Sequence, residues 1–492
     1  MYTLILIIPF LAALLFWTVR SKGLLHIINA AASGLLLLLS AMITRAVLTK
    51  GTISYSLWNG FFYIDSLSLI VLDIITAIGF FCCIYSIGYL DEEYRHQVID
   101  LHRIKIFYSL TYAFIFTMLL VVTTQNLGLM WIAIEATTLA SAFLVGFYNN
   151  RNSIEAAWKY IIICSVGIAF ALLGIVFLHF SSVNTFKEAS SFLNWLPLYQ
   201  EAASLQGSIL KISFIFVLIG FGTKVGLVPM HTWLPDAHSQ APAPISALLS
   251  GVLLNSAMYG IIRVLSIVNR NLGDSVYTGR LLMVFGLLSV AAAAIFIFPQ
   301  KDYKRLLAYS SIEHMGIIAF GLGMFTPLSI FASMFHMVNH AFTKSMLFLA
   351  SGNVYLKYKT REIAKVSGVL KALPLSGTAF LIGIFAIAGM PPFNVFSSEF
   401  GLILSAFDAR HNFQAVLFVL MIALVFAGMA ATLLRMFFGN AGNREVKAGE
   451  INLPGTAAIL VLLVIISLTG IYMPYELKST LEAASNIILG VK

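Results

Sequence analysis

His336, His340 and Lys344 recur at intervals of four residues, which on an α-helix stacks two imidazoles and an amine along one face. Imidazole changes charge near neutral pH, so such a row can accept and release protons in sequence. His-x3-His spacing also serves metals, but no cysteine or carboxylate shares that face, and no metal site is expected. Glu135, Lys159, Lys224, Glu313, His314 and Glu399 also lie within long apolar runs. Burial disfavours a charged amine and a nearby carboxylate restores it, so a glutamate that moves relative to a lysine makes it bind or release a proton. Glu135 with Lys224, modulated by Lys159, is the expected input. His336, His340 and Lys344 relay, Glu399 is the exit carboxylate, and His238, Asn255 and Glu313 are further relay candidates.

Any of these groups could instead sit near a helix end and extend to the interface. That alternative suits Glu313 and His314, about three turns from the basic cluster that begins at Lys301. It suits Glu135 poorly, because apolar or small residues flank it for a full turn. A central Lys or Asp in a bilayer costs about 2.5–3.5 kcal/mol, so each needs a partner or water.

The elements that hold these residues are membrane helices. Of the 492 residues, 60% are hydrophobic and 10% charged, whereas soluble domains carry about a quarter charged residues. A net charge of +9 is spread through short links between apolar runs, which argues against nucleic acid as a partner and for lipid. Spanning takes about 20 apolar residues. About fourteen spans are predicted, at 2–19, 24–48, 64–90, 106–124, 126–148, 155–180, 208–239, 243–268, 278–298, 303–323, 327–355, 372–405, 412–438 and 453–473. The first lacks a basic segment ahead of it and reads as a span rather than a cleaved signal. Cys82, Cys83 and Cys164 have no metal or iron–sulfur spacing, so no cofactor is expected in this chain.

Two spans are too long and are interrupted. Gly226, Pro229, His231 and Pro235 break one near 226–235, and Gly389, Pro391 and Pro392 break the other near 389–394. Backbone without helix at that depth survives only inside protein or along a wet cavity; a plain structural kink is the alternative. The breaks are related by repetition. Leu218, Ile219, Gly220, Gly226, Pro229, His231, Trp233 and Asp236 align at an offset of 163 with Leu381, Ile382, Gly383, Gly389, Pro392, Asn394, Phe396 and Glu399. Lys159 and Gly167 align with Lys344 and Gly352 at 185. Five spans separate the matched helices, so the halves are expected to be inverted repeats. The expected divisions are a three-helix segment at 1–105, a first repeat at 106–268, a second at 278–438, and a last helix with a short tail at 453–492. With the N-terminus outside, 17 of the 27 Lys and Arg beyond Lys159, Lys224 and Lys344 fall on the cytoplasmic side, which predicts both termini outside.

Residues 130–135 (Met-Trp-Ile-Ala-Ile-Glu), the segment from Lys224 to Pro242, residues 300–311, the row from His336 to Lys344 and residues 396–399 (Phe-Ser-Ser-Glu) resemble the Mrp-antiporter-like subunits of respiratory complex I. Residues 131–139 and 392–399 most resemble component F of hydrogenase-4, a membrane subunit of group 4 [NiFe] hydrogenase complexes. The resemblance covers nearly the whole chain. It implies fourteen spans, two inverted five-helix bundles, and proton transfer driven by redox chemistry in partner subunits. Ni-Fe, Fe-S or quinone would belong to those peripheral and membrane partners, in a prokaryotic plasma membrane. Many relatives carry lysine in the eighth span, where this chain has Asn255 after Gly251-Val-Leu-Leu; an amide holds water but takes no proton at neutral pH. A Na⁺/H⁺ antiporter subunit without electron transfer, and a structural subunit with an incompetent channel, are the competing functions.

Overall fold

A computed structural model describes residues 2–55, 61–183, 193–438 and 447–491. Long apolar runs become helices because only a helix satisfies its own backbone in lipid. They are α1 (Leu4–Thr18), α2 (Lys22–Lys50) and α3 (Ser66–Arg95); α4 (Leu101–Thr123), α5 (Leu127–Val145) and α6 (Arg151–Ser182); and the short α7 (Trp195–Gln200). Then come α8 (Gly207–Val225), α9 (Trp233–Gln240), and α10 (Ala243–Leu248), which a π turn at Leu249–Leu253 joins to α11 (Leu254–Leu272). The second half holds α12 (Val276–Phe296), α13 (Tyr303–Met324), α14 (Pro327–Tyr358), the single turn α15 (Val369–Ala372), α16 (Pro374–Ile387), α17 (Asn394–Asp408) and α18 (Asn412–Phe438). The chain closes with α19 (Leu453–Ile471) and α20 (Tyr475–Leu489). Between α2 and α3, strands β1 (Ile53–Tyr55) and β2 (Phe62–Ile64) pair antiparallel, Ile53 opposite Ile64.

Among the described residues, 11 helices are long and apolar enough to cross a bilayer, fewer than the sequence reading expects. The difference has local causes. α1 has 15 residues and α16 has 14. α14 is 32 residues long, but His336, Asn339, His340, Thr343 and Lys344 dilute its apolar character.

The outward surface is apolar, with Phe143, Trp158, Val166 and Leu420 exposed as lipid tails require. Polar groups turn inward. Every residue of α13 except Arg305 is buried, as is the continuous stretch from Ala243 to Asn269. Small residues let the helix pairs close: a Cβ on Gly220 would meet Ala171 N at 2.3 Å, and one on Gly316 would meet Gly286 O at 2.7 Å.

Both interrupted spans are broken. α8 ends at Gly226 with φ 82°, and α9 begins at Trp233. α16 gives way to Gly389 with φ 70°, and α17 begins at Asn394. Those left-handed values favour glycine. Freed backbone groups find side-chain partners: Val228 N–H donates to Ser289 Oγ at 3.0 Å, Trp233 Nε1 donates to Thr223 O at 2.8 Å, and Asn339 Nδ2 donates to Asn394 O at 2.8 Å. Pro235, expected to break the helix, instead lies in the first turn of α9, where a missing N–H costs nothing.

Two features escape the sequence reading. Arg263, which that reading does not single out, is buried and clasps Asp65 with Nη1 at 2.8 Å and Nη2 at 2.7 Å, tying α11 to the start of α3. The tail beyond α19 is not a plain extension: α20 folds back as a helix packed on α3 and α14.

Candidate functional site

In the first half, Lys224 lies in the last turn of α8, just ahead of the break, and is fully buried. Its Nζ donates to Thr138 Oγ1 at 2.8 Å and Tyr160 OH at 3.0 Å, and sits 4.9 Å from the Tyr160 ring centre. Thr138 Oγ1 in turn donates to Glu135 Oε2 at 3.2 Å, while Ser165 Oγ donates to Glu135 Oε1 at 3.1 Å. Glu135 and Lys224 are thus joined through one hydroxyl and make no direct ion pair. Glu135 is partly exposed rather than enclosed.

Lys159 does not join them. Two turns into α6, it is 47% exposed and pairs with Glu155 at 2.7 Å and Asp236 at 3.2 Å. Asp236 also holds Arg305 of α13 at 3.0 Å. Within the break, His231 is nearly buried beside the rings of Phe296 and Tyr309.

Two candidates lie between the halves. His238 Nδ1 bonds Leu234 O at 3.0 Å, its Nε2 is buried without a partner, and its ring faces Phe348 at 5.3 Å. Asn255 follows the π turn and donates to Gly251 O at 2.8 Å and Met337 O at 3.3 Å, leaving Oδ1 unpartnered.

The second half is denser. Lys344 is fully buried and donates to Leu307 O at 2.9 Å. Further along the same face of α14, both ring nitrogens of His340 lack hydrogen-bond partners, and its ring lies 5.4 Å from His314. His314 Nδ1 and His336 Nε2 share a hydrogen bond of 2.9 Å. His336 Nδ1 meets Ser398 Oγ at 2.9 Å. Glu399 Oε1 lies 4.0 Å from His314 Nδ1, and Glu313 Oε2 lies 3.9 Å from His314 Nε2.

His314 and Glu313 therefore do not extend to an interface. α13 is packed on all sides at their level, and counting turns from Lys301 misjudges them because neighbouring helices, not distance along the chain, decide access to water. The carboxylate that α14 itself lacks arrives from α17: ligating atoms of His314, His336 and Glu399 lie within 4.8 Å of one another. The two imidazoles are hydrogen-bonded to each other, an arrangement that suits proton transfer directly. Thr138, Tyr160 and Ser398 have no signal in the sequence, since hydroxyls are common in apolar helices and carry no mark of their own.

Residues 124–425 match the family described as NADH:quinone oxidoreductase/Mrp antiporter, TM, and residues 59–97 match NADH-ubiquinone oxidoreductase (complex I), chain 5 N-terminus. The chain is 38% identical to the hydrogenase-4 component F homolog of Methylacidiphilum infernorum (isolate V4), over 85% of this chain and 86% of that protein. It is 31% identical to hydrogenase-4 component B of Escherichia coli (strain K12), over 68% of this chain and 49% of that protein. It is 32% identical to NADH-quinone oxidoreductase subunit M of Rickettsia prowazekii (strain Madrid E), over 56% of this chain and 55% of that protein. In fold it is similar to a chain of the archaeal membrane-bound sulfane sulfur reductase, with TM-score 0.86, 23% identity, and coverage of 99% of this chain and 97% of that one. A chain of the Mrp complex from Dietzia sp. DQ12-45-1b gives TM-score 0.86 at 20% identity, with the same coverage.

Proposed function

This chain belongs to the NADH:quinone oxidoreductase/Mrp antiporter family, and from that premise we propose that it is a proton-translocating membrane subunit of a redox-driven complex of the hydrogenase-4 or NADH-quinone oxidoreductase type. One observation carries the reading: each broken span is met by buried proton-exchanging groups, Lys224 linked to Glu135 at the first and His314, His336 and Glu399 at the second.

In the first half, a proton arriving at Glu135 is passed to the Lys224 amine when the Thr138 hydroxyl between them turns. Burial favours the neutral amine, so movement of Glu135 loads or unloads it. Lys344, His340, His336 and His314 carry the proton through the second half to Glu399. His238 and Asn255 lie on the route between halves, where water must cross the place of the missing lysine. Lys159 acts at the rim, through Asp236.

The fold reading is fourteen crossings, counting α8 with α9, α10 with α11, and α16 with α17 as single spans. Matching glycine conformations at 226 and 389 support inverted repeats at 106–268 and 278–438. A three-helix segment at 1–105 precedes them and a last helix with its tail, 453–492, follows. Both termini are read as outside a prokaryotic plasma membrane. Redox groups belong to partner subunits.

In native complexes reconstituted into vesicles, Lys224→Ala and Glu399→Ala should each abolish proton uptake while the complex stays assembled. Normal uptake in both variants would overturn the reading. Co-purification of only small antiporter subunits, with no redox partner, would favour cation exchange instead.

A further inference from the structure

Asp73 is a carboxylate two turns inside α3 that the route above does not use. Among the described residues its partners are hydroxyls: Ser40 donates to it, and Thr44 Oγ1 lies 3.0 Å from both its oxygens. No cation pairs with it among those residues, and the charged groups on the same wall are Arg45 of α2 and Glu476 of α20. An intramembrane carboxylate without a counter-charge is costly unless it exchanges protons or meets water.

The surroundings leave room for water. A cavity of about 320 Å³ lies between α3, α14, α19 and α20, with room for several water molecules. Its walls are mostly apolar, among them Ile70, Ile74, Val338, Phe342 and Ile465, with polar groups at Thr44, Asp73, Asn394, Thr469, Glu476 and Thr480. An open groove on the side of α2 shares Thr44, Asp73, Ala77 and Glu476 with it, and Asp73 is partly exposed there. The other end reaches Asn394, at the second break. Asn394 O accepts from Asn339 Nδ2, which lies 3.1 Å from Ser398 Oγ, and Ser398 meets His336 at 2.9 Å. One cavity therefore runs from Asn394, which Asn339 and Ser398 separate from His336, to an open groove, with Asp73 where the two meet.

We propose that Asp73 is the proton-exchange carboxylate at the outer end of the second half, receiving protons from the His336–Glu399 cluster through water in this cavity. A proton leaves the cluster, crosses that water, protonates the Asp73 carboxylate and is released to the outer solution, which returns Asp73 to its ionised form. Ser40 and Thr44 hold the carboxylate at the boundary. This inference rests on the proton-translocating reading above.

The test uses the native complex in vesicles. Asp73→Asn should lower proton uptake about a hundredfold, the low end of what a positioned proton-transfer group contributes, and Asp73→Glu should retain uptake. Thr469→Cys should react with a membrane-impermeant maleimide from the outer face and not from the inner face. If Asp73→Asn pumps normally while Lys224→Ala or Glu399→Ala does not, this inference fails alone; if all three pump normally, the proton-translocating reading fails with it. A cysteine at 469 that reacts from neither face would mark the cavity as dry and overturn the proposal.

Discussion

The sequence alignment of the two halves pairs Lys159 with Lys344 and Asp236 with Glu399, yet the two pairs live in different media. Lys159 and Asp236 meet at a rim, the lysine 47% exposed and shared with Glu155. Lys344 is fully buried, and Glu399 lies within 4.0 Å of a buried histidine. The reason is position along the helix. Lys159 stands two turns inside α6, whereas Lys344 stands at the middle of the 32-residue α14. The first half places its buried amine on the broken span instead, as Lys224.

The connections differ as well. Glu135 reaches Lys224 through a hydroxyl that must rotate, while His314 and His336 touch directly. An imidazole takes a proton on one nitrogen and gives it from the other without moving far. On the proposed function, the first half is the gated segment and the second a wire.

Among changes that test this contrast, cutting the wire should have the largest effect. His314→Gln keeps a polar side chain of similar reach but cannot relay a proton, and uptake by the reconstituted complex should fall about a hundredfold. A loss of less than threefold would mean that protons bypass the cluster, and the contrast between the halves would collapse. Thr138→Val should act more mildly. It removes the hydroxyl linking Glu135 to Lys224; hydrogen bonds to charged groups are worth about 1.5–3 kcal/mol, and about 1.4 kcal/mol is tenfold in rate. Uptake should slow about tenfold, with Thr138→Ser restoring it; equal rates for Val and Ser would remove the gate from the first half. Lys159→Ala should matter least. Exposed ion pairs contribute about 0.2–1 kcal/mol and are screened by salt, so uptake in physiological salt should change less than about twofold. A loss as severe as that of Lys224→Ala would place Lys159 on the path after all.

Much of this molecule is legible from local chemistry. Gly226 and Pro229, like Gly389 and Pro392, disrupt their own helices whatever surrounds them, so both breaks fall where the residues predict. Spacing by four puts His336, His340 and Lys344 on one face of any helix that contains them. Residues such as His314, Asp73 and Arg263 are different, because what each one meets comes from another part of the chain: His336 from α14, the hydroxyls of α2, and Asp65 at the start of α3.

By itself, then, the sequence determined that lipid is the solvent, which helices break, and which side chains could exchange protons, since run length, proline and side-chain type act on their own stretch of backbone. Only the tertiary structure decided how deep each group lies and what it touches. Depth and partnership depend on helices packed from distant parts of the chain, which is why two aligned lysines can end as a rim cation and a buried amine.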